Sequence, residues 1–424
     1  MTGSQDGGLA RRLGFRFGIG FGALLIFPFP LDALPKLDWL TEPLGQPLVW
    51  VTRWFAQAVL GLPEPASADT GSGDRTFDHV QLLLFAIVAA IGAIGAIAWS
   101  ALARRRSYPR LAAVAHVVLR YYVAYAMLAY GLSKVLRQQF GDLTPHELGQ
   151  VVGDLSPMGL LWRFMAYSAP YTVFGGLCEA IPGVLLLWRR TAAIGAVMVI
   201  AVMTNVVMLN LSYDVSVKLY SIRLLVMAGL IALPDARRLL AAALGRATAE
   251  VPTRVRMSPR RERLRQIAKA VLLVGIAVGL CLELGLRQRD AHRHELYGTW
   301  VVDTFAADGV EHPPLTTDPV RWHSLTAHPA VVRIRLMPGE PDPPDPVRDY
   351  YVWKVDETRH TVTLTIDAGR QLAETWRYSR PAPDRLVIDG VHLGKSLHVA
   401  LHAAPPPRLL TRGFHWISDA PFNP

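Results

Sequence analysis

Cysteine is nearly missing. Among 424 residues there are two, Cys178 and Cys281, each inside an apolar run, and no Cys-x-x-Cys occurs. That excludes a disulfide framework and dithiol chemistry carried by the chain itself. Charge is scarce too, at 18% of residues, against about 25% in an ordinary soluble domain. No Ser-His-Asp signature, P-loop or Gly-x-Gly-x-x-Gly after a strand is present, so hydrolase and nucleotide-binding readings have no footing. No flavin, haem or iron–sulfur signature is present either, so electron transfer would need a partner subunit.

What fills the chain instead is apolar sequence: 51% of residues, with a mean hydropathy of +0.25. The net charge of +10 does not point to nucleic acid, because the basic residues sit in short clusters beside apolar runs rather than along one face. The expectation is a polytopic α-helical membrane bundle of about seven transmembrane helices, followed by a C-terminal antiparallel β-barrel or sandwich. A span needs roughly 20 apolar residues, and candidates lie at 13–31, 77–102, 111–135, 169–188, 191–211, 219–234 and 267–286. The N-terminal run has no convincing cleavage site and reads as a retained helix. Segment 44–62 is amphipathic and bounded by prolines and reads as an interfacial or re-entrant helix, and 157–168 reads the same way.

Basic clusters orient the bundle. Arg11 and Arg12, Arg104 to Arg106 with Arg110, Arg189 and Arg190, and the stretch from Arg237 to Arg265 fall on alternate loops. The positive-inside rule puts them in the cytoplasm of an inner-membrane protein, with loops 32–76, 136–168 and 212–218 outside. Arg287, Arg289 and Arg293 dissent, and four agreeing loops outweigh them. The domains expected are 1–110, a core over 111–235, a basic loop over 236–265, a last spanning helix over 266–288, and an extracytoplasmic β-domain over 295–424. In that last part, period-two runs rich in Val, Thr, Trp and Tyr predict strands at 296–305, 331–337, 350–355, 361–366, 374–378, 385–388 and 397–401. Pro338-Gly339, Asp389-Gly390 and Leu393-Gly394 read as turns, and about eight strands could close a small barrel.

Ionisable residues at membrane depth mark candidate sites. The first constellation is Arg120, Gly131 and Lys134 on one helix, and Gly175, Gly176, Cys178, Glu179 and Pro182 on another. Counting residues from the inner surface places Arg120 and Glu179 at a similar depth, which predicts an Arg–Glu pair. Such a pair either fixes helix register or moves a proton. These residues, with Leu185 to Ala192, resemble the DoxX-like family over about 117–234. The resemblance implies a four-helix core and, for some members, association with quinone-linked oxidation.

The second constellation is a polar turn, Asn205, Asn210, Tyr213, Asp214, Lys218 and Arg223, with Tyr130, Lys134 and Arg137 ending another helix at the same outer level. It reads either as a pocket for an anionic headgroup or carbonyl-bearing ring, or as snorkelling cations with Asp214 capping a helix. Gly298-Thr299-Trp300 opens the β-domain and resembles lipocalin-like proteins, which implies an indole plugging one barrel end. Phe414-His415-Trp416 lies near its end. His398 and His402 share strand parity with His392, yet no carboxylate or cysteine joins them at ligand spacing, and no metal site is expected. The cofactor stays unidentified, with a quinone or lipid as the ligand such a site would take. The partners expected are membrane lipid and a redox subunit, not nucleic acid. The competing readings are a non-enzymatic lipid- or partner-binding module and a carboxylase-like membrane enzyme with a catalytic lysine.

Overall fold

The computed structural model describes residues 8–31, 38–61, 79–103, 105, 107–247, parts of 259–279, 293–337, 350–365 and 374–413. The chain forms two compact units. One comprises Met1–Gly141 with Ser156–Gln288, the other Asp142–Leu155 with Arg289–Pro424.

The first unit is helical. Its N-terminal part contains α1 (Leu9–Ile26), α2 (Asp38–Ala58) and α3 (His79–Leu102). Phe21 of α1 lies against Gly92 of α3, stacks on Phe17 and meets Phe85 edge to face. Arg16 is buried between Trp99 and Tyr108 and donates to the Arg105 carbonyl. In α2, Trp39, Trp50 and Trp54 are exposed while Thr52 and Ala56 are buried. The core follows as α4 (Pro109–Val135), α5 (Pro145–Leu148), α6 (Pro157–Tyr167), α7 (Ala169–Leu186), α8 (Ala192–Ser212), α9 (Lys218–Ala232) and α10 (Ala236–Ala243). Among the described residues, five helices are long and apolar enough to cross a membrane: 82–102, α4, α7, α8 and the run 218–243. The expected span at 13–31 is α1, whose first half carries Arg11, Arg12 and Arg16. The expected span at 267–286 lies partly outside the described residues.

Proline and hydroxyl residues set the helix starts. Pro109 opens α4. Ser156 and Ser168 accept backbone N–H bonds at the starts of α6 and α7, and proline follows each at one of the first two helical positions, where its missing N–H costs nothing. The closest helix contact is α4 against α7. A Cβ on Gly131 would lie 2.7 Å from the Ala180 nitrogen, and one on Gly176 would lie 2.6 Å from the Gly131 carbonyl oxygen. Only side-chain-free residues permit two backbones to meet so closely, the device by which helices associate where lipid removes the hydrophobic drive.

The second unit is a closed antiparallel barrel. Its strands are β1 (Gly298–Ala307), β2 (Val310–Glu311), β3 (Trp322–Ala327), β4 (Val331–Leu336), β5 (Tyr350–Asp356), β6 (Thr361–Thr365), β7 (Glu374–Ala382), β8 (Arg385–His392) and β9 (Lys395–Ala403). They pair in sequence order, β9 closes on β1, and β2 is a short addition beside β1, so eight strands form the wall. Inward residues alternate along the strands and fill the interior. Phe305, Trp322 and Trp376 pack with ring centroids 5.4–5.7 Å apart. Trp300 is buried, and its indole N–H donates to the Leu296 carbonyl at 2.8 Å. Beside it Tyr378 donates to Glu295 at 2.6 Å. Burial, followed by that carboxylate, pushes the phenol above its ordinary range.

Two details of the strand pattern differ from expectation. Asp389-Gly390 is no turn: both lie inside β8, and Gly390 faces Trp376, whose Cδ1 would sit 2.6 Å from an added Cβ. The strand β3 was not expected. A register shift between Trp322 and Ser324 makes Ser324 and Leu325 both buried, so the period-two signal breaks in the middle of the strand. Pro338-Gly339 and Phe414-His415-Trp416 lie outside the described residues.

The segment Asp142–Leu155, which the sequence places inside the four-helix core, belongs to the barrel unit. Asp142 pairs with Arg293 at 3.0 Å, and the hydroxyl of Tyr350 lies 3.0 Å from His146 Nε2. Thr144 and Glu147 form a reciprocal cap at the start of α5.

Two substitutions test this packing. Trp300→Ala should destabilise the barrel by about 3–5 kcal/mol in a denaturant titration of a 293–424 fragment, with a β-type circular dichroism spectrum beforehand. Gly131→Ala should lower the thermal stability of the detergent-solubilised chain by about 1–3 kcal/mol through overpacking, whereas Gly153→Ala, with open space around it, should not.

Candidate intramembrane site

The crossing of α4 and α7 positions the first pair of charges. Lys134 Nζ donates to Glu179 Oε2 at 2.7 Å, and the two side chains are 11% and 6% exposed. The pair therefore has little water around it, and each charge depends on the other. Lys134 lies in the last turn of α4, where the negative end of the helix dipole also favours a cation. The rings of Tyr130 and Phe140 flank its ammonium at 5.6 and 6.0 Å.

Arg120 is not the partner of Glu179. Gly131 lies beside Gly176 and Ala180, and Met127 lies beside Gly183. Continuing that antiparallel register carries Arg120 past the end of α7; Tyr121 reaches the Leu187 carbonyl. Between Arg120 and Gly131 there are about 16 Å of helix rise. The depth count misplaced Arg120 because the 27-residue α4 outreaches the 18-residue α7 at the N-terminal end of α4. Arg120 is buried beside the ring of Tyr121.

From Lys134 a line of aromatic and polar groups leads to α9. Tyr130 faces Tyr220 with centroids 5.9 Å apart. The guanidinium of Arg223 lies 5.0 Å from the Tyr220 ring and donates to the Tyr122 hydroxyl at 3.1 Å. The line spans twelve residues of α4, about 18 Å along its axis. It joins one acid and two bases through three phenols. Tyr122, Tyr220 and Phe140 were absent from the sequence-based set. Their signal was present as same-face spacing: Tyr130 and Lys134 are four apart, Tyr220 and Arg223 three apart.

The turn between α8 and α9 is divided. Lys218 pairs with Asp214 at 2.6 Å, and the Asp214 side chain is 79% exposed. Asp214 adopts a positive φ of 52° and does not cap α9; Val217 occupies that position without a side-chain bond. Tyr213 packs with Phe140, Leu161, Met165 and Val215 in an apolar cluster. Asn210 is buried, its backbone carbonyl accepts from Val215, and its amide nitrogen has no partner among the described residues. Asn205 is exposed. The structure thus brings Tyr130, Lys134, Glu179 and Arg223 together, and leaves Asn205, Asp214 and Lys218 outside that line.

In the barrel, His398 and His402 do share a face, the outer one, but each has its own carboxylate: Asp389 at 2.6 Å and Asp303 at 2.7 Å. His392 points inward, 2.8 Å from Glu374 and enclosed by Trp322, Trp376 and Tyr351. Among the described residues these side chains fill the barrel core.

These features define a membrane protein with a helical unit, a buried Lys–Glu pair between α4 and α7, and a closed eight-stranded barrel. Over 119 residues the chain is 37% identical to the uncharacterized protein YwoB of Bacillus subtilis, a match that covers 28% of this chain and 75% of that protein. Over that stretch the chain belongs to the same family as YwoB. No family model matches the chain, and no solved structure matches it. The DoxX-like and lipocalin-like resemblances accordingly rest on the quoted residues alone.

Because each charge of the Lys134–Glu179 pair is buried, removing either leaves the other stranded. Lys134→Met and Glu179→Gln should each cost about 3–5 kcal/mol, and the double variant should recover part of that loss. Arg120→Gln combined with Glu179→Gln should be additive. Thermal unfolding in detergent measures both cycles, and coupling in the second but not the first would refute the pairing.

Proposed function

We propose that the helical unit is a membrane-embedded binding site for a quinone or other carbonyl-bearing lipid, serving as a component of a redox-associated system. The observation that carries this reading is the line from Glu179 and Lys134 through Tyr130 and Tyr220 to Arg223. Three phenols and two cations offer donors to carbonyl oxygens, and buried polar groups of this kind mark substrate pathways in membrane proteins. The DoxX-like resemblance points the same way. The carboxylase-like alternative asks for a free lysine nucleophile, and Lys134 is engaged by Glu179 at 2.7 Å. The barrel, with its filled interior, serves this reading as a surface for a partner rather than as a ligand carrier.

The proposed location is the cytoplasmic membrane, with the N-terminus inside and the barrel outside. Segment 142–155 connects α4 to α6 and packs with the barrel, so the two share one side of the membrane. From that side α7, α8 and α9 cross three times, and one more crossing between residues 247 and 293 must return the chain. The apolar sequence at 267–286 has the length such a crossing needs.

Two measurements test the proposal. Solvent extraction of the purified protein should release a compound with quinone absorbance, reduced severalfold in Glu179→Gln; phospholipid alone would favour the non-enzymatic lipid-binding reading. Cysteines replacing Val152 and Lys395 should both react with an impermeant maleimide in intact cells, and one replacing Ala247 should not. Opposite labelling of Val152 and Lys395 would break the shared-side argument.

A further inference from the structure

The four helices α4, α7, α8 and α9 contain Arg110, Arg120, Lys134, Lys218 and Arg223 but a single acid, Glu179. That acid is taken by Lys134, and Lys218 is taken by Asp214 of the preceding turn. Arg223 has no carboxylate among the described residues. Its hydrogen-bond partner is the neutral phenol of Tyr122, and its Nε is buried without an acceptor. Arginine side chains stay charged in proteins, and a charge at membrane depth without a counter-charge is costly.

Snorkelling does not relieve Arg223. His116 meets the Ile231 carbonyl, and Tyr130 meets Tyr220, so α4 and α9 run antiparallel. In that register Tyr122 lies about one helical turn, roughly 5 Å, deeper than Arg223 along α9. The guanidinium is held between the Tyr122 hydroxyl and the Tyr220 ring rather than extended to the headgroup region.

We propose that the site takes an anion: a lipidic molecule whose polar end carries one ionised oxygen, held by Arg223 with the hydroxyls of Tyr122 and Tyr220 beside it. This inference rests on the reading of the Lys134–Tyr130–Tyr220–Arg223 line as a ligand site and narrows its ligand class. A carboxylate, a phosphate or an ionised hydroxyl on a quinone ring all satisfy it. A planar guanidinium binds such groups through paired N–H bonds, stronger than bonds to a neutral carbonyl.

The test is native mass spectrometry of the full chain released from nanodiscs, with oleate, lysophosphatidate, oleyl alcohol and a short-chain neutral quinone as probes. Wild type should bind oleate or lysophosphatidate at least about tenfold more tightly than oleyl alcohol, the scale of one charge-assisted hydrogen bond. Preference for oleate assigns a carboxylate, and preference for lysophosphatidate assigns a phosphate. Arg223→Gln should abolish the discrimination, Arg223→Lys should keep part of it, and Tyr122→Phe should keep most of it. Equal binding of all probes, unchanged in Arg223→Gln but lost in Glu179→Gln, would overturn the anion and leave the site standing. No binding of any probe to wild type would overturn both.

Discussion

Everything in the helical unit depends on how closely α4 and α7 approach. At Gly131 and Gly176 the two backbones are in contact, with room for nothing larger than hydrogen on either. That contact fixes the relative height of the two helices, since a slide by one residue would drive a side chain into a backbone. The height in turn decides which charges meet. Gly131 lies between Gly176 and Ala180 and Lys134 lies against Gly176, so the lysine side chain reaches one turn along α7 to Glu179. Two charges that would each be prohibitive alone become tolerable together, and their orientation presents Lys134 to Tyr130 and Phe140. The polar line toward Arg223 begins from this crossing.

The barrel obeys a different constraint. Its eight strands close on themselves, leaving no long open edge, and its interior must then be filled. Tryptophans and a phenylalanine do most of that, with glycine at 390 yielding space to Trp376. A solid core makes a rigid body of the outer face. That body also holds the segment 142–155, which follows α4 and precedes α6 and α7. The barrel is therefore linked through short stretches of chain to both helices that supply the Lys134–Glu179 pair.

Composition and periodicity revealed the membrane helices and most strands, because both depend on local pattern. Seven of the eight wall strands follow from alternation, and the missing one, β3, carries the bulge that spoils it. The pairing of charges was not legible, because it depends on helix register, which hydropathy does not encode. Counting depth from each helix's own end matched Arg120 to Glu179, and helices of unequal length made the count fail. The small residues that set the true register were visible as Gly131, Gly176 and Gly183, and would have served as the better ruler. Asn205 and Asn210 were grouped by proximity in sequence. Five residues apart on a helix they point about 140° away from each other, and only Asn210 is buried.

The account stands or falls on the register of α4 against α7. It can be read directly by joining cysteine pairs with a short bifunctional thiol reagent in native membranes, in a chain where Cys178 and Cys281 are replaced by alanine. Cysteines at 134 and 179 should cross-link rapidly, and cysteines at 120 and 179 should not. Efficient linkage of 120 to 179, with none between 134 and 179, would contradict the glycine crossing and the site built on it.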